Sequence, residues 1–330
     1  MSSHLGNHLL EVNNLSVQFK LRHQQILTAV DGVSLHIQAG EILGLVGESG
    51  SGKTVLSLSL LRLIPSPGHI SNGQIVWQGQ ELTTFGAKAM RNVRGKEIAM
   101  IFQNPQASLN PVYTVGAQMA AVMKLHRHLS TKDAQDESVR LLRLVRIPDA
   151  DKRINDYPHQ FSIGMCQRIM IAMALSCQPK LLIADEPTAS LDVTIQAQIM
   201  DLLLEIREQF GTAILLVSHD LGVIARMCDR IAVMYLGRIV EVASATNLYG
   251  SPMHPYTKAL LQSVPVPDPS QRGRIKRIEG DVPSPINLPT GCRFRTRCPE
   301  VFEECPKVDP ALYAVNGDDH RAACLLYNRA

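Results

Sequence analysis

Hydrophobic and polar positions divide the first part of the chain into recognisable elements. Residues 9–19 alternate apolar and polar side chains and predict a strand, and residues 29–37 predict a second one. A short apolar strand over residues 41–46 runs directly into a glycine-rich segment, residues 47–54, and residues 55–63 favour a helix. A buried strand, a glycine loop and a helix are therefore expected in that order.

The middle of the chain is predominantly helical before strands return. Residues 133–145 and 164–176 are its clearest helical segments. Two apolar strands follow, residues 181–184 and 213–217, and the apolar positions between them have helical spacing. This order predicts a largely parallel sheet flanked by helices, with a helical insertion.

The composition excludes several classes of protein. The chain has 330 residues, 45% of them hydrophobic, and 33 basic residues nearly balance 30 acidic ones. That apolar content excludes disorder as the main state, and the balanced charge gives no strong electrostatic footprint for nucleic acid or an anionic membrane, although it leaves room for a local basic patch. The apolar runs are too short to cross a bilayer. The first eleven residues also lack the basic start and long apolar run of a secretory signal, so we expect the chain to stay in the cytoplasm.

The glycine-rich segment has the complete pattern of a phosphate-binding P-loop, Gly-x-x-x-x-Gly-Lys-Thr. Its glycines allow successive backbone N–H groups to point at phosphate oxygens. Lys53 adds a positive charge, and Thr54 offers a hydroxyl to Mg²⁺ at the start of the helix. The residues predicted to bind ATP through this loop are Gly47, Ser49, Gly50, Ser51, Gly52, Lys53 and Thr54.

Two adjacent carboxylates stand at the end of the strand that begins at Leu181. Asp185 and Glu186 follow four apolar residues, and ligands bind at the carboxyl ends of parallel strands. We expect Asp185 to hold Mg²⁺, directly or through water, and Glu186 to orient and polarise the attacking water. The pattern predicts hydrolysis of a nucleoside triphosphate.

With these motifs in this order, residues 9–264 resemble the ATP-binding subunit of an ABC transporter. The resemblance implies that Phe19 stacks on adenine, although a core phenylalanine at a strand end is an equally good interpretation of its spacing. It implies that Gln103 reaches the Mg²⁺ and the attacking water, and that His219 contacts the γ-phosphate. It also implies a D-loop formed by Ser190, Leu191 and Asp192.

The signature segment of that family departs from its usual form. The family has Leu-Ser-Gly-Gly, whereas this chain has Phe161 followed by Ser162, Ile163, Gly164 and Met165. In the family this element opens a helix and contacts the ATP held by a partner subunit. Ile163 would be strained if its position required a positive φ. We hypothesise an asymmetric pair of ATPase subunits in which one of the two ATP sites is weakened. The alternative is that isoleucine at this position is tolerated with little effect.

The C-terminal part, residues 265–330, begins with a proline-rich linker and contains four cysteines, Cys292, Cys298, Cys305 and Cys324. In a reducing compartment such a cluster favours soft-metal ligation over disulfides. The segment is similar to the C-terminal region of dipeptide and oligopeptide importers. That resemblance implies a [4Fe–4S] cluster on the four cysteines, with zinc as an open alternative.

The expected fold class is α/β: a P-loop NTPase of ABC type with a mixed sheet core, a helical subdomain at about residues 105–180, and a small cysteine-containing tail. The resemblance implies a motor subunit that hydrolyses ATP with Mg²⁺ to drive import of di- and oligopeptides. The implied partners are a second ATPase forming a heterodimer, two transmembrane permeases and an extracytoplasmic binding protein, with no nucleic acid. The chain would then lie on the cytoplasmic face of the membrane.

Two other functions compete with this interpretation. One is a non-transport ABC ATPase acting on nucleic acid, although such proteins usually carry tandem ATPase halves or a long coiled-coil insertion, and this chain has neither. The other is an adaptor with a weak ATP site and a metal-cluster tail. The presence of Lys53, Asp185 and Glu186 argues against the adaptor.

Overall fold

The protein is described by a computed structural model that covers residues 8–189, 191–263, 278–317 and 319–327. These residues form two compact units. Unit 1 is drawn from the ranges Met1–Ile37, Ile42–Thr83 and Ser218–Ala330. Unit 2 is drawn from Gln38–Glu41 and Thr84–Val217.

The strands are numbered along the chain. They are β1 (Leu10–Lys20), β2 (Ile26–Ile37), β3 (Ile42–Val46), β4 (Gly68–Trp77), β5 (Gln80–Glu81), β6 (Ile98–Ile101), β7 (Leu181–Asp185), β8 (Ala213–Ser218), β9 (Arg230–Tyr235), β10 (Arg238–Ser244), β11 (Tyr313–Ala314) and β12 (Arg321–Ala322).

The helices are numbered in the same way. They are α1 (Lys53–Leu60), α2 (Ala87–Val93), α3 (Pro105–Ser108), α4 (Val115–Arg127), α5 (Thr131–Leu144), α6 (Ala150–Arg153), α7 (Ile163–Leu175), α8 (Val193–Phe210), α9 (Leu221–Met227), α10 (Ala245–Gly250) and α11 (Pro255–Gln262).

Unit 1 contains an antiparallel sheet in the order β2-β1-β4-β5. Its inner strand β1 buries Leu10 and Val12 before an irregularity in its register, and Leu15 and Val17 after it. Within each part, alternate side chains point to the same face of the strand. The strands predicted over residues 9–19 and 29–37 are both present in this sheet. A second group of strands pairs β3 with β9 in parallel and β9 with β10 antiparallel, so the sheet is mixed.

Unit 2 contains the parallel strands β6, β7 and β8, with β7 in the middle. Every residue of β7 and β8 is buried, as expected for parallel strands covered on both faces. The helices α3 to α7 lie within the segment predicted for the helical insertion, and α5 and α7 agree closely with the helices predicted there. The register places Asp185 opposite Val217 at the carboxyl end of this sheet.

The described part of the C-terminal region belongs to unit 1 instead of standing apart. Its short strand β12 pairs with β10, with Glu241 opposite Ala322, and Phe294 is only 1% exposed. Most of the predicted linker, including Pro265, lies outside the described residues. Backbone pairing and burial therefore attach the tail to the strands of unit 1. Within the described residues, we find no helix with the length and apolar character needed to cross a membrane.

Candidate functional site

The P-loop occupies the connection between β3 and α1 in unit 1, as the sequence predicts. Lys53 opens α1 and is only 5% exposed. Its Nζ donates hydrogen bonds to the carbonyl oxygens of Gly47 at 2.8 Å and Glu48 at 3.0 Å. The ammonium group is therefore held inside the loop, where the backbone would surround a bound phosphate.

Two glycines of the loop are required by the backbone itself. Gly47 has a φ of 156°, and a Cβ built on it would lie 2.1 Å from the carbonyl oxygen of Met234. Gly52 has a φ of 104°, and its Cβ would lie 2.3 Å from the carbonyl oxygen of Ala29. Any side chain at either position would collide with the backbone of a neighbouring strand, so these glycines allow the loop to take its shape.

The hydroxyls of the loop fit an anionic ligand. Ser51 is 3% exposed, and its Oγ has no hydrogen-bond partner among the described residues. A buried hydroxyl without a partner is costly unless a ligand satisfies it. Ser49 and Gly50 are exposed at the loop, and Thr54 is exposed in the first turn of α1, where its oxygen suits a hard cation such as Mg²⁺.

In unit 2, the two carboxylates of the β7 end have different environments. Asp185 is 2% exposed, whereas Glu186 turns out of the strand with a φ of 47°. The Glu186 N–H donates to the carbonyl oxygen of Val217 at 2.9 Å. The Gln103 Nε2 donates to Glu186 Oε2, also at 2.9 Å. A glutamate with a left-handed backbone conformation that is held by hydrogen bonds is typical of a functional position. The structure brings the predicted residues Gln103 and Glu186 together.

The remaining predicted residues lie at element ends. His219 is exposed and directly follows the last residue of β8; in the division of the chain it is assigned to unit 1. Asp192 caps α8 by accepting a hydrogen bond from the N–H of Ile195 at 3.0 Å, a local role that the sequence analysis missed. Leu191 is half-buried beside it, and Ser190 lies outside the described residues.

Phe19 lies near the end of β1 and is half-buried. A Cβ placed on Gly68 would lie 2.5 Å from its ring, so the ring rests on the glycine backbone. The Phe19 ring therefore lies close to β4 of the same sheet. Stacking of the ring on adenine remains a prediction.

The signature segment forms the N-terminus of α7. Ser162 is the cap, and its Oγ accepts a hydrogen bond from the Met165 N–H at 3.3 Å. Ile163 is the first helical residue, has no positive φ, and is 41% exposed. The backbone strain considered for Ile163 is therefore absent. A side chain on Gly164 would meet Ile195 at 3.1 Å, so the one glycine of this segment is closely packed.

The predicted [4Fe–4S] cluster is wrong. The four cysteines line one cavity together with His254 and Phe294, but the described residues contain no group of three or more His, Cys, Asp or Glu side chains arranged to hold a metal ion. Burial raises the pKa of Cys298 and of Cys324 to about 11. The absence of a metal-holding group among the described residues also leaves the zinc alternative without support.

Comparison with known proteins agrees with these observations. Residues 30–189 match the ABC transporter family, and residues 240–305 match the oligopeptide/dipeptide transporter, C-terminal region. The chain is 47% identical to the oligopeptide transport ATP-binding protein AppD of Bacillus subtilis, over 97% of each chain. It is also 47% identical to the dipeptide transport ATP-binding protein DppD of Haemophilus influenzae, over 93% of this chain and 92% of that protein.

Among solved structures, the dimeric structure of a bacterial ABC transporter cassette has the same fold, with a TM-score of 0.65 and 25% identity. The match covers 72% of this chain and 98% of that one. The P-loop, the β7 carboxylates and this fold define an ATP-binding cassette ATPase that works with ATP and Mg²⁺. The chain belongs to the ATP-binding proteins of the oligopeptide/dipeptide ABC transporter family. No comparison supports the predicted heterodimer, and that prediction is corrected accordingly.

Proposed function

We propose that this chain hydrolyses ATP to drive the import of di- and oligopeptides from the cytoplasmic face of the membrane. The observation that carries the proposal is the similarity over more than nine-tenths of the chain to transport ATP-binding proteins for dipeptides and oligopeptides. The match of residues 240–305 to the peptide-transporter C-terminal region supports the same cargo class. The comparisons give no support to a nucleic-acid ATPase or to an adaptor.

The roles of the site residues follow from their chemistry. Lys53 and the P-loop N–H groups bind the phosphates and compensate their charge. Glu186 accepts a proton from the attacking water, and Gln103 orients the carboxylate through their hydrogen bond. His219 would contact the γ-phosphate.

Mg²⁺ supplies further charge compensation on the phosphates when bound. The residues that would hold it are Thr54, Asp185 and Gln103, all of which offer the oxygen donors that this hard cation prefers. Phe19 would bind the adenine, and the D-loop residues Leu191 and Asp192 would face the second ATP-binding subunit.

The proposed complex contains other chains. A second ATP-binding subunit would receive the signature segment, Ser162 to Met165, at its own P-loop, because the capped N-terminus of α7 is suited to an anion. Two permease subunits would form the path through the membrane, and an extracytoplasmic binding protein would deliver the peptide. The ATPase would be held at the membrane by these subunits.

Replacing Ile163 by glycine is expected to increase the ATPase rate of the assembled transporter about three- to tenfold. Ile163 is exposed in the first turn of α7, where its side chain would limit the approach of a phosphate to the helix N-terminus. The measurement is the steady-state release of phosphate by the purified complex. Thr131→Gly is the matched control, since Thr131 is also an exposed β-branched residue that directly follows a capping serine. Equal rates and equal ATP affinities for wild type and Ile163→Gly would contradict the weakened site.

Uptake of labelled peptides tests the cargo class. In cells lacking only this chain, we expect uptake of radiolabelled di- and oligopeptides to fall at least about tenfold and to return with the wild-type gene, because transport is coupled to ATP hydrolysis. Uptake of a free amino acid is the control. Unchanged peptide uptake, together with co-purification of RNA or DNA in place of membrane permeases, would reject the proposal.

A further inference from the structure

A segment of the C-terminal region, Gly291–Cys298, contacts the P-loop directly; we call it the tail segment. The Arg297 guanidinium donates two hydrogen bonds to the Glu48 carboxylate, Nη1 to Oε2 at 2.6 Å and Nη2 to Oε1 at 3.0 Å. The Arg297 side chain is only 4% exposed, so the pair differs from an ordinary surface ion pair. Paired, charge-assisted hydrogen bonds of this kind are strong and directional.

A second contact reaches the other half of the loop. Arg293 donates to the carbonyl oxygen of Leu236 and to the Asp31 carboxylate. Gly237, which follows Leu236 in the chain, donates its N–H to the carbonyl oxygen of Ser51 at 2.8 Å. The tail segment therefore supports the P-loop at Glu48 through one arginine, and supports the turn that holds Ser51 through another.

The tail segment is itself firmly anchored. Phe294 is 1% exposed and packs edge-on against Tyr235, with ring centroids 5.3 Å apart, and lies 5.3 Å from the Tyr256 ring. Tyr256 in turn accepts a hydrogen bond through its hydroxyl from the Glu48 N–H at 2.8 Å. Both the backbone and the carboxylate of Glu48 are thus held by groups that this aromatic cluster positions.

Glu48 would oppose nucleotide binding if it were left unpaired. It lies between Gly47 and Ser49 in a loop whose task is to bind phosphate, and a carboxylate repels a phosphate at short range. Arg297 cancels this charge and directs the carboxylate towards the tail segment. Nothing in the sequence pattern pairs these two residues, which are 249 positions apart.

We propose that Arg297 is a positioning residue for nucleotide binding: by pairing with Glu48 it neutralises and orients the P-loop, so that the C-terminal region sets the affinity of the loop for ATP. The inference rests on ATP binding by the P-loop and does not depend on the transported cargo. The C-terminal region would then act in the ATPase cycle by setting the ATP affinity of the P-loop, a role that requires no metal ion.

The test is equilibrium binding of ATP to the purified full-length chain in the presence of EDTA, which prevents hydrolysis. Arg297→Gln is expected to weaken ATP binding about tenfold, a change that corresponds to about 1.4 kcal/mol. Glu48→Gln added to Arg297→Gln removes the unpaired charge and restores the affinity to within about threefold of wild type. Arg297→Lys keeps the positive charge, and its ATP affinity is also expected to stay within about threefold of wild type.

The matched control is Arg295→Gln. Arg295 has the same charge two residues earlier, but it donates to the Thr290 carbonyl oxygen and does not reach the P-loop in the structure. Its replacement leaves ATP affinity unchanged. Thermal unfolding of every variant without nucleotide separates affinity from stability, and if Arg297→Gln does not fold, the comparison of Arg297→Lys with the double variant carries the test.

A double variant that binds ATP as weakly as Arg297→Gln would overturn the charge-compensation argument, and so would a wild-type affinity in Arg297→Gln. If only the double variant and Arg297→Lys fold, binding more than about threefold weaker than wild type in either one would also overturn the proposal. If the wild-type chain transports peptides and all the variants bind ATP with the wild-type affinity, this inference is rejected and the proposed function stands. If the chain proves not to drive peptide transport, the inference is unaffected, because the binding assay contains no cargo.

Discussion

Replacing Glu186 by glutamine is expected to reduce kcat for ATP hydrolysis at least about 100-fold while ATP still binds. The carboxylate at this position lies at the end of β7 and accepts a hydrogen bond from Gln103 at 2.9 Å. Glutamine retains the shape and can still accept this bond, but it cannot take a proton from water. A general base typically contributes a factor of about 10² to 10⁴ to a rate.

The measurement is single-turnover hydrolysis of ATP by the assembled transporter, combined with retention of labelled ATP. Glu208→Gln is the matched control, because Glu208 is an exposed glutamate of α8 in the same unit. We expect the control to hydrolyse ATP at the wild-type rate. A Glu186→Gln transporter that still hydrolyses ATP and imports peptide normally would show that another group acts as the base.

Replacing Lys53 by alanine is expected to weaken ATP binding roughly 100-fold and to abolish measurable hydrolysis. The buried ammonium is the positive charge that the P-loop holds between the carbonyl oxygens of Gly47 and Glu48. Hydrogen bonds from a charged group typically contribute about 1.5 to 3 kcal/mol, and the positive charge beside the phosphates is lost together with the hydrogen bond.

Titration of the full-length chain with ATP measures this effect. Lys88→Ala serves as the control, since Lys88 is an exposed lysine of α2 and carries the same charge. Both variants should unfold at similar temperatures without nucleotide if the lysine acts mainly on the ligand. ATP affinity equal to wild type in Lys53→Ala would contradict the assignment of this loop.

The local part of the site was predictable from the sequence. The P-loop pattern is contiguous, and its flanking strand and helix have apolar periods that can be counted along the chain. The structure places β3 and α1 where those periods indicate, and it explains Gly47 and Gly52 by close backbone neighbours. The roles of Gln103 and His219 came only from resemblance, because neither residue stands in a pattern that is informative alone.

Two expectations failed because they depended on the environment of the side chains. The clustering of four cysteines and the family resemblance suggested a metal cluster, but the described residues contain no group of side chains arranged to hold a metal ion. The departure at Ile163 suggested backbone strain, but the residue opens a helix, where its conformation is ordinary. Positions along a chain record neither the arrangement of side chains in space nor the φ angle.

By itself, the sequence determined the strands and helices beside the P-loop and the two carboxylates, the P-loop chemistry and the family of this ATPase. Each of these depends on motifs whose residues are close along the chain. The tertiary structure alone decided that β12 joins the tail to β10 and that Arg297 holds Glu48. These contacts join residues that are far apart in sequence, and their energies come from burial and mutual orientation, which appear only when the chain has folded.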